Sequence, residues 1–261
     1  MPRLLLKPPA SRAPSPTVGG MNLAWAVAGA VLGAPAGAVL RGPVLRLSVP
    51  SGEPDRTACP RCGAALGGRL TVRCRECGGA FGPPWVFEIV TAAVLALVCA
   101  RFADSAAVVA FGLFALLAVT LSGIDIAVHR LPDKLTLPAY PALVLLLGLA
   151  AVFGHSGAAL VRALLGGVAL TCFYFLLAVL RPGQLGAGDV KLAGLTGLAL
   201  GWLGWPVLIL GAALAFVLSA LVSLGLLAAR RISLRSSICF GPFMLGGALI
   251  AILVSGAGSR F

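Results

Sequence analysis

From Met21 onward the chain repeatedly presents stretches of mostly apolar residues, each closed by a short connection rich in Pro, Gly or Arg. A helix needs about 20 such residues to span a bilayer. The pattern predicts helices over residues 22–40, 85–102, 105–124, 137–154, 160–180, 190–203, 205–229 and 240–257, eight in all. The sixth is short and Gly-rich, which suits a tilted, broken or only partly inserted segment, with Trp202 and Trp205 marking an interface beside it. Residues 1–20 are rich in Pro, Ser and Arg without an apolar period, so they are expected to be disordered or an upstream extension ahead of a start at Met21. The run from 21 to 41 is long for a signal-peptide core and is taken as the first transmembrane helix.

Composition agrees with this pattern. Of the 261 residues 59% are hydrophobic and 11% charged, and the mean hydropathy is +1.03. No water-soluble domain of this size could hide so much apolar surface in one core. The expected class is therefore an all-α polytopic membrane protein of about eight transmembrane helices. The net charge of +12 sits in the connections and reads as topology, not as a nucleic-acid surface. Arginines crowd 41–75, Arg130 and Lys134 follow the third span, Arg181 and Lys191 bracket the fifth connection, and Arg230, Arg231 and Arg235 follow the seventh. These connections all fall on one side, which the positive-inside rule makes cytoplasmic, leaving both termini outside.

Two motifs carry chemistry. Cys59-Pro-Arg-Cys62 and Cys74-Arg-Glu-Cys77 are paired CxxC knuckles in a polar, Gly-containing loop, spaced to wrap four thiolates around one ion. Tetrahedral structural zinc is the expected occupant, in a small zinc-ribbon-like loop over 42–84, with two redox-active CxxC disulfides as the alternative. Cys99, Cys172 and Cys239 lie in or beside spans and read as small packing residues.

The second motif emerges from scarcity. Outside the cysteine loop there are five carboxylates, Glu88, Asp104, Asp125, Asp133 and Asp189, and an ionisable group in a spanning helix is a functional candidate by default. Asp104 reads as a solvated turn residue and Glu88 as a group packed against a cation or polar group. Asp133 reads as an N-cap. Asp125 closes the third span and Asp189 opens the sixth within Gly186-Ala-Gly-Asp-Val-Lys191, both on the cytoplasmic boundary of the predicted topology. Two carboxylates at one depth can share a proton and act as acid and base on a water molecule. Helix capping, or pairing with Arg130 or Lys191, is the structural alternative for each. The glycines before Asp189 suggest an unusual backbone open to close approach by a substrate. His129 reads as an interface residue and His155 as an outer-loop residue. The sequence holds no HExxH, P-loop or dinucleotide fingerprint.

Taken in order, these pieces resemble the type IV prepilin peptidases, aspartic membrane proteases of the GxGD class. The resemblance rests on the degraded first-span segment Gly33 to Pro50, the two CxxC pairs, Phe87-Glu-Ile-Val-Thr-Ala92, Leu131-Pro-Asp-Lys-Leu-Thr-Leu-Pro138 after Asp125, Gly186-Ala-Gly-Asp-Val-Lys-Leu192, and Phe240-Gly-Pro-Phe243. It implies that Asp125 and Asp189 are catalytic, and that Gly186, Gly188, Lys191, Pro132 and Asp133 support them. It also implies a bacterial inner-membrane enzyme whose residues 85–261 form the peptidase domain. The implied substrate is a type IV prepilin or pseudopilin, whose apolar helix lies in the lipid beside the enzyme while its leader is cut at the cytoplasmic face. Many members then methylate the new N-terminus with S-adenosylmethionine, although no Gly-rich fingerprint for that cofactor is present here. The rival readings are a proton- or cation-coupled transporter and a noncatalytic secretion-system assembly factor.

Overall fold

The computed structural model of the chain describes residues 17–18, 21–50, 52–67, 73–79, 85–103, 105–154, 156–181, 185–231 and 239–255. Most of the N-terminal stretch expected to be disordered, together with Asp104, His155 and Arg235, lies outside the described residues. Eight helices follow in order: α1 Leu23–Leu47, α2 Val86–Arg101, α3 Val108–Val128, α4 Asp133–Phe153, α5 Gly157–Leu180, α6 Ala187–Leu203, α7 Trp205–Ala228 and α8 Gly241–Val254. A minimal hairpin, β1 Thr17–Val18 with β2 Met21–Asn22, precedes α1. Five helices, α1, α3, α4, α5 and α7, are long and apolar enough to cross a membrane. The fold is thus the all-α polytopic class expected from the apolar blocks.

The end of α1 differs from expectation for a physical reason. Helix α1 runs seven residues past the predicted end at 40, through Arg41, Gly42 and Pro43. The cation at 41 need not end the helix, because it is buried against Glu88 on α2, with which it forms an ion pair. Glycines 29, 33 and 37 lie one turn apart and bring the α1 and α2 backbones together. A Cβ at Gly29 would sit 2.5 Å from the Leu95 carbonyl oxygen, and one at Gly33 2.6 Å from the Ala92 Cα. Small residues serve this purpose in membrane helix pairs, where packing rather than hydrophobicity drives association.

Helix α6 is not broken. Its 17 residues are continuous, and every residue from Leu192 to Gly201 is buried, enclosed by α4, α5, α7 and α8. Its glycines admit α5: a Cβ at Gly201 would lie 2.7 Å from the Arg162 carbonyl oxygen, and one at Gly166 2.8 Å from that of Gly197. Arg162 on α5 donates to the C-terminal carbonyls of Gly201 (2.9 Å) and Trp202 (2.6 Å), satisfying groups a helix end leaves open. The N-terminal end of α6 meets the C-terminal end of α3 and the start of α4 at one end of the bundle. The cysteine loop reaches the same end. There Arg130 donates to the Pro50 carbonyl at 2.9 Å and Lys134 pairs with Asp55 at 2.7 Å.

Candidate functional site

Helix α3 continues one turn beyond its predicted end at 124, so Asp125 lies inside the last turn and only 5% of it is exposed. The helix stops at His129, which takes a left-handed conformation (φ 52°) and donates its N–H to the Asp125 carbonyl at 2.8 Å. The Asp125 side chain is held from across the bundle. Its Oδ2 accepts the Gly241 N–H at 3.1 Å. A Cβ at position 241 would lie 2.7 Å from that same oxygen, so the bond depends on a glycine there.

Asp189 is half-buried in the first turn of α6, and its Oδ2 accepts the Gly186 N–H at 3.2 Å. It therefore caps the helix while facing the site. The glycines before it do not provide an unusual backbone, contrary to expectation: Gly186 has φ −75°, which any residue adopts. Gly188 matters for space, since a Cβ there would come within 3.0 Å of the Leu131 side chain. Both carboxylates line one cavity of about 260 Å³, with His129, Arg130, Leu131, Asp133, Gly186, Gly188 and Lys191 around them. Cys239 lies within electrostatic reach of both. Burial first, and then the charges of Asp125 and Asp189, push its thiol pKa up. Its expected role as a mere packing residue therefore omitted its place beside the acids.

Neither aspartate has an ion-pair partner among the described residues. Lys191 is taken by Asp133 at 2.6 Å, and Arg130 by backbone carbonyls of the cysteine loop. Asp133 is not the N-cap of α4. Pro132 holds that position and Asp133 is the first helical residue, with its carboxylate turned to Lys191. Pro132 suits the cap because its own missing N–H costs nothing there, and its carbonyl accepts the amides of Leu135 and Thr136, both at 3.1 Å.

The four cysteines meet in the loop as their spacing predicted. The sulfurs of Cys59, Cys62, Cys74 and Cys77 all lie within 4.8 Å of one another, with Cys59 to Cys77 at 3.9 Å and Cys62 to Cys74 at 3.5 Å. Four sulfurs bound tetrahedrally at 2.3 Å stand about 3.8 Å apart. The two knuckles have the same build. Gly63 (φ 74°) and Gly78 (φ 63°) follow them in left-handed turns, and their N–H groups close onto the carbonyls of Cys59 (2.9 Å) and Cys74 (3.0 Å). Amides of Arg61 and Cys62 hold the Cys59 thiol down to about pKa 6. The Ala64 amide pulls Cys62 in the same direction, yet the adjoining Cys74 sulfur and burial raise it to about 12. Clustered thiols thus oppose one another's ionisation, and a divalent cation would relieve that opposition. The donor set fits a metal ion.

Comparison with known proteins places this architecture. Residues 111–224, which include both aspartates, match the type IV leader peptidase family. A prepilin leader peptidase/N-methyltransferase of Pseudomonas aeruginosa is 30% identical over 222 residues, covering 76% of this chain and 71% of that protein. The chain belongs to the type IV leader peptidase family. Similar proteins of the same name occur in Burkholderia pseudomallei, 36% identical over 205 residues and 74% of this chain, and in Aeromonas hydrophila, 29% identical over 210 residues. The chain spans 65% of the length of the Burkholderia relatives. No solved structure matches it.

Two contacts of this leader peptidase family member escaped the sequence reading. Gly241 lies in the Phe-Gly-Pro-Phe segment, a recognisable motif to which spacing alone assigns no role. Tyr140 on α4 donates its hydroxyl to the Lys191 carbonyl at 2.5 Å, anchoring the first turns of α6. Gly194 leaves the room that this ring requires. The only signal for Tyr140 was a polar atom within an apolar block.

Proposed function

We propose that the chain is a prepilin leader peptidase with Asp125 and Asp189 as its catalytic pair. The observation that carries this reading is the shared cavity: two carboxylates from distant parts of the chain line one space, and neither has an ion-pair partner among the described residues. In the proposed reaction the ionised member takes a proton from water while the protonated member donates a hydrogen bond to the scissile carbonyl. The hydroxide adds to the carbonyl carbon. Collapse then breaks the C–N bond as a carboxyl proton passes to the leaving amine, which regenerates the shared-proton dyad. Gly241 and Gly186 orient the two carboxylates, Gly188 lets α6 close on Leu131, and Pro132, Asp133 and Lys191 fix the α4 and α6 starts around the cavity.

The arginine-rich connections put this end of the bundle in the cytoplasm of a bacterial inner-membrane protein. A substrate of the prepilin or pseudopilin class would lay its apolar helix in the lipid and present its leader junction at the boundary. Residues 42–84 would complete α1 and then form the metal loop, with residues 85–261 acting as the peptidase domain. Zinc is the proposed ion, because four thiolates in a tetrahedral cluster suit it. It would brace the loop against α1 and α4 and take no part in hydrolysis. Methylation of the new N-terminus, with S-adenosylmethionine as the donor, is proposed as a second activity, after the N-methyltransferase named in the relatives.

The test is cleavage of a prepilin-type peptide by the reconstituted full chain, compared with Asp125→Asn and Asp189→Asn. Each change is close to isosteric and removes the acid function. Cleavage is expected to fall by at least roughly a thousandfold in both variants, the range of a lost acid–base group, with unfolding temperatures close to wild type. Equal cleavage in all three proteins would move catalysis elsewhere and favour the transporter or assembly-factor reading.

A further inference from the structure

A second cavity, of about 440 Å³, lies on the other side of α3 from the aspartates. Its polar wall carries Arg41, Ser48 and Arg56, and its apolar wall includes Val44, Phe87 and Ile126. Arg41 is 94% buried by its 6% exposure, and it spends one nitrogen on Glu88. Its Nε–H is without a hydrogen-bond partner among the described residues. A buried guanidinium N–H left unpaired has lost its hydration without a replacement acceptor. With Arg56 alongside, the Arg41–Glu88 pair leaves this wall with an excess positive charge.

The cavity does not end there. Phe87, Val86, Gly123 and Ile126 also line an apolar groove of about 240 Å³ that runs between α2, α3 and α8 past Val90 and Leu249. Ile126, Val86 and Val90 are exposed along it, so in a bilayer the groove opens to hydrocarbon. A cationic pocket thus adjoins an apolar groove, with Val86, Phe87, Gly123 and Ile126 lining both.

We infer that this site binds one anionic phospholipid, with its phosphate at Arg41 and Arg56 and an acyl chain in the groove between α2, α3 and α8. Charge complementarity selects the head, since an anion gives Arg41 Nε the acceptor it lacks and balances Arg56. The apolar continuation selects a lipid over a free phosphate, which would leave the groove empty. A bound chain would lie against Ile126 and Pro242, the neighbours of Asp125 and Gly241, so the site also adjoins the catalytic end. The inference rests on the membrane fold and stands whether or not the aspartates are catalytic.

The test is native mass spectrometry of the full chain released from detergent micelles with added phosphatidylglycerol, phosphatidylcholine or glycerol phosphate. Phosphatidylglycerol is expected to bind about tenfold more tightly than phosphatidylcholine, because both carry a phosphodiester but choline cancels the net charge of the latter's head beside two arginines. Arg56→Gln should reduce it to the phosphatidylcholine level. Because Arg41→Gln alone would strand Glu88, the double change Arg41→Gln/Glu88→Gln is used beside it, and the same loss is expected. Equal binding of the two lipids, or undiminished binding in both variants, overturns the inference. Glycerol phosphate binding as tightly as the lipid would make this a simple anion site. Stoichiometric displacement of the lipid by a prepilin-type peptide or by S-adenosylmethionine would assign the groove to that ligand. Either result overturns the lipid assignment.

Discussion

The bond from Gly241 to Asp125 joins two segments 116 positions apart, and it exists because position 241 has no side chain. Gly241→Ala would push a methyl group against the carboxylate oxygen and turn it away from the cavity. Misplacing a catalytic group by about 1 Å costs on the order of a hundredfold. We expect kcat/KM for peptide cleavage to fall by about that factor while the unfolding temperature stays within a few degrees of wild type. Unchanged kinetics would remove Gly241 from the site. The Lys191–Asp133 pair behaves differently. Its side chains are 39% and 56% exposed, and an exposed pair contributes less than about 1 kcal/mol. Lys191→Met should therefore leave stability nearly unchanged in denaturant titration, and a loss above about 2 kcal/mol would contradict a solvent-screened role.

Helix pairing in this bundle depends on glycine faces, and the two arms of the site hang from them. Gly197 faces the Gly166 carbonyl so closely that a Cβ has no space. Gly197→Ala must separate α5 from α6 and is expected to lower stability by about 1–3 kcal/mol, the usual penalty of overpacking. Gly148 on α4 is the control, because a Cβ there meets nothing within 4 Å. Gly148→Ala should be neutral or stabilising by up to about 1 kcal/mol through reduced chain entropy. Unfolding of both variants in the same micelle measures the contrast, and equal effects would refute the close-contact account of α5–α6. That account also explains why α6 is short. It is buried from Leu192 to Gly201, so protein rather than lipid encloses it and its length need not match the full bilayer.

The metal loop and the helical bundle are separate sources of order that meet at one end. Among the described residues the loop's cysteines hold little apolar surface: Cys59 and Cys74 are buried with Leu45, Ala64 and Leu66 packed against them. Without an ion, such a loop lacks the burial needed to offset its ordering entropy. Removing the metal with a strong chelator should open residues 52–79 to protease while the helical circular dichroism falls little, since the described part of the loop contains no helix. Loss of most helical signal would show that the ion supports the bundle itself. The loop's ties to the α3–α4 connection and the start of α4, Arg130 to Pro50 and Lys134 to Asp55, are polar and largely exposed, so the aspartate cavity should persist after chelation.

The sequence by itself determined the class of fold, because runs of apolar residues near 20 long have few places to go other than a bilayer. It also determined the cysteine cluster, whose spacing is local, and it singled out Asp125 and Asp189, because carboxylates are rare here and costly in a span. Local signals erred where a distant partner overrode them. Arg41 does not end α1, because Glu88 receives it, and Asp133 does not cap α4, because Pro132 already does and Lys191 takes its charge. What the tertiary structure alone decided is which groups face one another across helices: both aspartates on one cavity, Gly241 beneath Asp125, and Tyr140 on the Lys191 carbonyl. Spacing within a helix is set by the backbone repeat and can be read from the chain. Contact between helices depends on the depth and rotation at which their surfaces pack, and no single segment encodes those.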